Sequence, residues 1–391
     1  MTSRFASAVS EHPVAATAVG EVIGQVLEGT GPAPDLACCF VAQAHTSSLQ
    51  AITGAVRELL APRTLLVCSA ASVVGGPQEL EDRSAISLFA GHTGLCTPVR
   101  LDAAPTNDGW EVRGLPDDID RSEPRVLLLC ADGASFPAEH LIDGLAVQWP
   151  VLTVVGGLAS ASPVAPSTRL GLDDARFVDG AVGVLLPAEL AVRAVVSQGC
   201  RPLGDPFTVT KSRGNVVLEL GGQPAMTRLE HLVEHATPTE RALLGGGVHL
   251  GIVIDERRDT FERGDFLVRS ILGAERDTGG IAVAGDVELA ATVQFHVRDA
   301  NTAHEDLQLA LAGPPADAAL LFTCIARGAR LFGEPDHDAI EVHDAVGRGP
   351  VGGMFCDGEF GPVGLRSFVH GYTASVLLFG SAGSMAAQPP D

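Results

Sequence analysis

Lysine is almost missing from this chain: it occurs once, at Lys211, and every other basic side chain is arginine. Schiff-base chemistry, including that of pyridoxal phosphate, needs a lysine amine. Lys211 stands beside Gly214-Asn215, a hairpin-turn signal, where an amine is poorly placed for burial. Lysine catalysis is therefore not expected. Bases as a class are also short, 26 against 48 acids, for a formal charge of −22. That charge repels phosphate backbones and anionic lipid, so neither nucleic acid nor a membrane surface is an expected partner.

Further absences narrow the field. None of the 8 cysteines forms a C-x-x-C pair, and most sit in apolar runs such as Val126 to Cys130 and Leu320 to Cys324. They read as small buried hydrophobes in a reducing compartment, not as disulfides or zinc ligands. The most apolar long stretch, Ala181 to Val196, is broken by Pro187, Glu189 and Arg193, so no membrane span is expected. After Arg4 come Glu11, His12 and Pro13 with no apolar stretch, so no signal peptide is expected and a cytoplasmic location is. There is no G-K-[ST] phosphate loop and no G-x-S-x-G nucleophile elbow. Gly245 to Gly251 resembles a dinucleotide loop only superficially, because it precedes a predicted strand (Gly251 to Ile254) and opens no helix.

What is present is a folded α/β pattern: 46% of residues are hydrophobic in a chain of 391, enough for two or three domains. Val19, Val22, Ile23 and Val26 fall on one helical face, followed by a Gly-Pro-rich linker, Gly29 to Pro34. Leu36 to Val41 and Leu65 to Cys68 read as strands. Between them a helix capped by Thr46 or Ser47 carries Leu49, Ile52, Val56 and Leu59. The same sentence recurs: Val126 to Cys130, a helix near Ala138 to Val147, Val151 to Gly157, then Gly180 to Leu186. It returns as Leu320 to Cys324, a helix near Asp338 to Val346, Pro350 to Gly353, then Thr373 to Phe379. The first, fainter copy ends through Gly75-Gly76 and Ala85 to Ala90. These copies predict internal strand-helix-strand repeats. Between them, Phe207 to Thr210 and Val216 to Leu220 flank the Gly-Asn turn. A helix over Met226 to Ala236 then turns Met226, Leu229, Leu232 and Val233 inward.

The C-terminal third holds the densest candidate chemistry. Cys324, Arg327 and Gly328 end a strand; Phe355, Asp357, Glu359 and Gly361 lie in a glycine-laced turn; His370 and the sole tyrosine, Tyr372, precede the last strand. By spacing alone, tight turns and ligand-cradling backbone are both open readings for these glycines. Asp336 to Asp338, with His343 and Asp344, could be metal ligands, but at a helix start they read as solvated caps. No metal and no cofactor are expected.

Taken in order, Gln294 to Ala300, Phe322 to Gly328 with Leu331 to Gly333, Gly358 to Pro362 and His370 to Thr373 resemble the C-terminal FIST domain. Gly156 to Ala159, Asp179 to Ala181 and Gly199 to Pro202 are similar to the N-terminal FIST domain. The resemblance implies a bacterial sensory module for signal transduction that binds a small ligand such as an amino acid. It further implies a stand-alone protein read by a separate signalling partner, since no kinase, cyclase or receptor domain is recognisable. One departure is Cys356 after Phe355, where family members often carry an aromatic. The expected division is an N-terminal helix and linker (1–34), the two FIST domains (35–225 and 226–380) and a flexible tail (381–391). The expected architecture is two α/β lobes of mixed β-sheet layered with helices.

An amino-acid ligand needs a cation and an anion. Arg327 or Arg298 supplies a bidentate guanidinium and Glu359 or Asp299 the opposite charge, with Cys324, Gly328, Phe355, Gly361, His370, Gly156 and Gly157 around them. Asp299 reads equally well as a helix cap, and His370 as a loop residue bonded to backbone. Catalysis is not expected; an enzyme with Cys324 as nucleophile is the alternative, and a scaffold that binds protein alone is a third class.

Overall fold

A computed structural model describes residues 4–107, 109–117, 119–161, 168–258 and 260–380. The expected tail, 381–391, lies outside the described residues. The chain divides into two compact units. Among the described residues, one comprises those within 4–196, 307–369 and 373–380, the other those within 197–306 with His370–Tyr372.

The first unit is built three times over. Its first repeat runs β1 (Phe5–Ser10), α1 (Ala15–Thr30), β2 (Leu36–Ala42), α2 (Leu49–Ala55), β3 (Thr64–Ala70), a short hairpin of β4 (Val73–Gly75) and β5 (Gln78–Leu80), then β6 (Ile86–Gly91). The second runs β7 (Thr97–Thr106), β8 (Gly109–Arg113), β9 (Arg125–Ala131), α3 (Ala138–Gln148), β10 (Leu152–Leu158), a hairpin of β11 (Leu170–Leu172) and β12 (Ala175–Phe177), then β13 (Ala181–Leu185). The third opens with β14 (Val192–Gln198), where the second unit's sequence intervenes.

That second unit contains β15 (Cys200–Arg213), β16 (Val216–Leu220), β17 (Gln223–Pro224), α4 (Ala225–His235), α5 (Pro238–Leu244), β18 (Val248–Val253), β19 (Phe266–Glu275), β20 (Gly280–Val283) and β21 (Thr292–Arg298). The third repeat then resumes with α6 (Ala300–Leu311), β22 (Ala318–Cys324), α7 (Ala329–Phe332), α8 (His337–Ala345) and β23 (Val351–Cys356). It closes with a hairpin of β24 (Glu359–Val363) and β25 (Arg366–His370), then β26 (Thr373–Phe379).

In every repeat the two strands joined through a helix are parallel, β2 with β3, β9 with β10 and β22 with β23. The returning strand lies antiparallel against the first of the pair. The hairpins are exchanged in a ring: β4 of the first repeat pairs with β23 of the third, β24 of the third with β10 of the second, and β11 of the second with β3 of the first. No repeat completes its own sheet, so the three form one cooperative body.

Strand alternation builds the layers. In β2, Leu36, Cys38, Phe40 and Ala42 enter a central core shared by all three sheets, while Ala37, Cys39 and Val41 face an outer cluster under α1 and α2. The other two sheets are likewise covered, by α3 and by α6 with α8. The four α1 residues expected on one face are all buried, each contributing about 1.5–3 kcal/mol by leaving water. All 8 cysteines are free and all but Cys96 are buried; Cys38, Cys68, Cys130 and Cys356 meet in the central core.

Local corrections follow from geometry. Neither Thr46 nor Ser47 caps a helix: residues Gln43–Ser48 form a 3-10 turn. The helix ends in a wider turn of π type at Val56–Leu60, which buries Leu60 and leaves Leu59 exposed because the face slips by one residue. Gly75 belongs to the exchanged hairpin, so Gly75-Gly76 is not the counterpart of Gly156-Gly157. Val233 of α4 is exposed.

In the second unit β15, β21, β18, β19, β20 and β16 pair in sequence, and β16 pairs back onto β15, closing a six-stranded antiparallel barrel. Its interior is apolar, with Val209, Val217, Leu250, Ile281, Val293 and Phe295 among the buried residues. The Gly-Asn hairpin is the β15–β16 connection, as expected.

Candidate functional site

Parallel strands joined by right-handed crossovers end on one side, and ligands in α/β sheets bind outside those carboxyl ends. In the first unit the ends converge on a cleft of about 340 Å³. Gln43 follows β2, Ala71 and Ser72 follow β3, Ser160 and Ala161 follow β10, Ile325 follows β22, and Phe355 and Asp357 close β23. The rim adds Glu81 and Asp82 after β5, and Arg330 of α7.

Ser160 ties the three repeats together at the floor. Its hydroxyl donates to the Phe355 carbonyl of the third repeat and accepts from the Ala71 N–H of the first, at 3.0 Å. The Phe355 N–H donates to the Ser72 carbonyl at 3.0 Å. The rim is fixed from beneath by Glu81, which accepts the Ala329 N–H at 2.8 Å. A side chain on Gly328 (φ +59°) would meet that same carboxylate at 2.6 Å, which accounts for glycine there. Asp357 is exposed at the cleft, and partial desolvation raises its pKa.

Behind the cleft lie two buried polar clusters. The Arg327 guanidinium grips Asp338 with two bonds, Nε to Oδ2 at 2.7 Å and Nη2 to Oδ1 at 2.8 Å, and both residues are fully buried. Asp338 also accepts the Thr323 hydroxyl at 2.7 Å. Burial alone would raise this carboxyl, but Arg327 with the Arg327, His337 and Thr323 hydrogen bonds holds it well below the usual carboxylate range. The expectation of a solvated cap at Asp338 is thus overturned, because β22 and α8 enclose it. Next to it Glu79 of β5 accepts the Ala339 N–H at 3.0 Å, and burial, with Asp338 nearby, pushes it up to about 8. In the second cluster Glu359 accepts the Thr373 N–H at 3.2 Å and its hydroxyl at 2.8 Å, with Cys324 beside it. Desolvation pushes Glu359 up to about 8.

The residues singled out from sequence therefore separate into groups. Phe355 lines the cleft, while strand alternation sends its neighbour Cys356 into the central core. Gly156 and Gly157 pair with Phe360 and Glu359 across the exchanged hairpin. A side chain at Gly157 would strike Cys356, and one at Gly361 would strike Val196 and Ser375, so these glycines allow close packing. Cys324, Arg327 and Glu359 form the layer behind. Arg298, Asp299 and His370 belong to the second unit. There the Arg298 guanidinium lies 6.0 Å from the Tyr372 ring centre, and His370 is buried. Asp299 caps α6 by accepting from Asn301 N–H at 3.1 Å and Thr302 N–H at 3.3 Å. The cation of the cleft is Arg330, three residues beyond Arg327, and its acids are Glu81, Asp82 and Asp357. Sequence reasoning passed over Arg330, Glu81 and Asp82, whose juxtaposition depends on the hairpin exchange.

Two family models cover this architecture, the FIST N domain at residues 35–223 and the FIST C domain at residues 225–362. The chain belongs to the FIST family. FIST domains are sensory domains that bind small ligands in signalling. An uncharacterised protein of Mycobacterium tuberculosis (strain ATCC 25618 / H37Rv) is 40% identical over 384 residues, covering 96% of this chain and 99% of its own length. Another, from Mycobacterium bovis, is 39% identical over 383 residues, covering 96% and 98%. The junction between the two FIST models, residues 223–225, falls inside the second compact unit, between β16 and α4. Among the described residues of this FIST protein no helix is long and apolar enough to cross a membrane.

Proposed function

We propose that this FIST protein is a stand-alone bacterial sensor of the cytoplasm that binds a small zwitterion, an amino acid in class, in the cleft at the carboxyl ends of β2, β3, β10, β22 and β23. The observation that carries the reading is the cleft's composition: one guanidinium, Arg330, faces a set of acids, Glu81, Asp82 and Asp357, in a volume of about 340 Å³. That volume is at the small end of ligand pockets. Arg330 takes the ligand carboxylate, and Asp357 with the rim acids takes the ammonium. Arg327 and Glu359 act from behind, the first holding α8 to β22, the second holding the end of β24 to β26. All three repeats contribute to the walls, so ligand contacts change how the repeats sit together, and a separate signalling protein reads that change. Division of the chain into FIST domains at 35–225 and 226–380 remains the sequence-level reading of its organisation.

The thiol-enzyme alternative fits less well, because burial raises the pKa of Glu359, the carboxyl beside Cys324, and so favours its protonated form over a base for the thiol.

A thermal-shift screen against amino acids and simple amines tests the reading. A ligand at about 100 times its Kd adds roughly 2.7 kcal/mol of stability. The expected result is a stabilising amino acid whose effect is lost in Arg330→Ala and in Asp357→Asn. No stabilisation by any of these compounds, or a hit that both variants retain, overturns the assignment of the cleft.

A further inference from the structure

Helices α6 and α8 of the third repeat bring together metal-ligating side chains that the small-ligand cleft does not use. His337 and Glu341 stand four residues apart on α8, the spacing that puts both on one helical face. His304 belongs to α6, an unbroken helix from Ala300 to Leu311. Leu307 and Leu311 of that helix are buried with Ala339 and Val342 of α8 in one outer core. His304 stands one turn before Leu307 and Gln308, so the same packing sets its position. One ligand atom from each of His304, His337 and Glu341 lies within 4.8 Å of the other two. Among the described residues no other group of three or more such side chains converges in this way.

The three are half-buried, and two of them are held from behind. His337 Nδ1 lies 3.0 Å from Asp338 Oδ1, and that carboxylate is itself gripped by Arg327. Donating to Asp338 places the ring's proton on Nδ1 and leaves the lone pair on Nε2. A carboxylate behind an imidazole is the arrangement that fixes a metal-binding tautomer. Phe332, the last residue of α7, stacks on His337 with ring centres 3.4 Å apart and planes 10° apart, which sets the rotation of the imidazole. Glu341 Oε2 accepts from Gln308 Nε2 at 3.3 Å, which steadies the carboxylate against α6. A simple ion pair has no use for the second imidazole, whereas a divalent cation uses all three groups.

We propose that His304, His337 and Glu341 form a binding site for a divalent cation of the zinc class. Two imidazoles and one carboxylate suit zinc in a four-coordinate site whose last position takes water or an exogenous ligand. Glu341 and Gln308 also border an open surface cleft, which gives that position access to solvent. None of the three ligands lines the small-ligand cleft, so the two sites are separate. Bound metal fastens α6 to α8 and so stabilises the folded chain.

Zinc titration of the full chain against a chromophoric chelator tests the site, with the zinc-induced rise in melting temperature as a second readout. The expected result is one equivalent bound, weakened by more than about 100-fold in His304→Ala, because even the partners behind a metal ligand are worth about 10- to 100-fold. Glu341→Gln is expected to lose less, since it keeps the side chain's size and one oxygen. Melting without zinc separates lost ligation from lost folding, and His304→Ala is expected to match wild type there. Absence of zinc binding below about 100 μM, or undiminished binding in a folded His304→Ala, overturns the site. If His304→Ala melts lower than wild type, Glu341→Gln decides, and undiminished binding there overturns the site. Loss in a stable His304→Ala with full binding in Glu341→Gln overturns Glu341 as the third ligand.

Discussion

The first unit leaves the carboxyl ends of its parallel strand pairs open, whereas the second pairs each of its six barrel strands on both sides. In the first, backbone polar groups at the open ends are satisfied by side chains drawn from other repeats: Ser160 bonds Ala71 and Phe355, Glu81 bonds Ala329, and Glu79 bonds Ala339. These bonds bring carboxylates and a guanidinium to one cleft. In the second unit the closed ladder consumes its own backbone groups, and its interior is filled with aliphatic and aromatic side chains. Polar groups are buried there too, but on regularly paired strands: His249 of β18 stands opposite His296 of β21, and both are buried. In the first unit the candidate site forms where strand pairing ends.

Buried charge should break this contrast most sharply. Arg327→Ala leaves Asp338 without its partner in a dry interior, and the expected cost is about 3–5 kcal/mol, read by urea unfolding. The barrel's Arg258–Asp265 pair, at 2.8 Å with the arginine more than half exposed, is the control; Arg258→Ala is expected to cost no more than about 1 kcal/mol. Equal costs would mean that the Arg327 site is wetter than its burial implies.

Glycines give the next largest difference. Gly353 in β23 has φ +158°, and a Cβ would overlap the Leu321 carbonyl oxygen; Gly156 has φ +136° and the same relation to Leu129. In the barrel, Gly273 has open space around its Cα. Gly353→Ala is expected to cost about 3 kcal/mol or more, and Gly273→Ala to stay within about 0.5 kcal/mol of wild type. Thermal unfolding of the two variants side by side decides it.

How much of this was readable from sequence depends on the range of the interaction. The α1 face was legible because Val19, Val22, Ile23 and Val26 repeat with the helical period and one face is buried. The Gly-Asn hairpin was legible because the turn is local. Strand β2 hid its faces, since Leu36 to Ala42 is buried throughout and alternation carries no polarity signal. The repeats showed as recurring strand-helix-strand text, but the ring of exchanged hairpins did not, because Gly75 meets Gly352 across most of the chain. Barrel closure was equally remote. Arg330 carries no signal in the sequence, since Glu81 of the first repeat is set beside it only by the fold, and Asp338 reads as a cap until β22 and α8 enclose it.

A pH series sharpens the comparison at a smaller scale. Glu359 has its pKa pushed from an ordinary 4.5 to about 8, and Glu79 likewise. Between those values the folded protein keeps protons that the unfolded chain releases. Stability from these two groups is therefore full below about pH 4.5 and declines until about pH 8. Asp338 works in the opposite direction: its folded pKa is depressed, so its contribution is present above the ordinary aspartate range and lost on acidification. In Glu359→Gln the decline between pH 4.5 and 8 is expected to shrink by a few kcal/mol, with the Glu79 part remaining. An unchanged slope would show that Glu359 ionises at its ordinary pKa and that its surroundings are hydrated.

The smallest effect is expected at the chain's only lysine. Lys211 lies in β15 opposite Glu219, with its amine 3.5 Å from the carboxylate and 61% of its side chain exposed. In the high dielectric of the surface, Coulomb attraction is nearly matched by the cost of fixing two flexible side chains. The stem adds little, since the barrel's apolar contacts at this end come from Val209, Val217 and Leu220 on the inner face. Lys211→Ala is therefore expected to change stability by less than about 0.5 kcal/mol. A loss above 1 kcal/mol in denaturant unfolding would mean that the β15–β16 seam, which is irregular on both sides of Lys211, depends on this ion pair for its register. Barrel closure would then rest on a surface charge and not on its apolar interior.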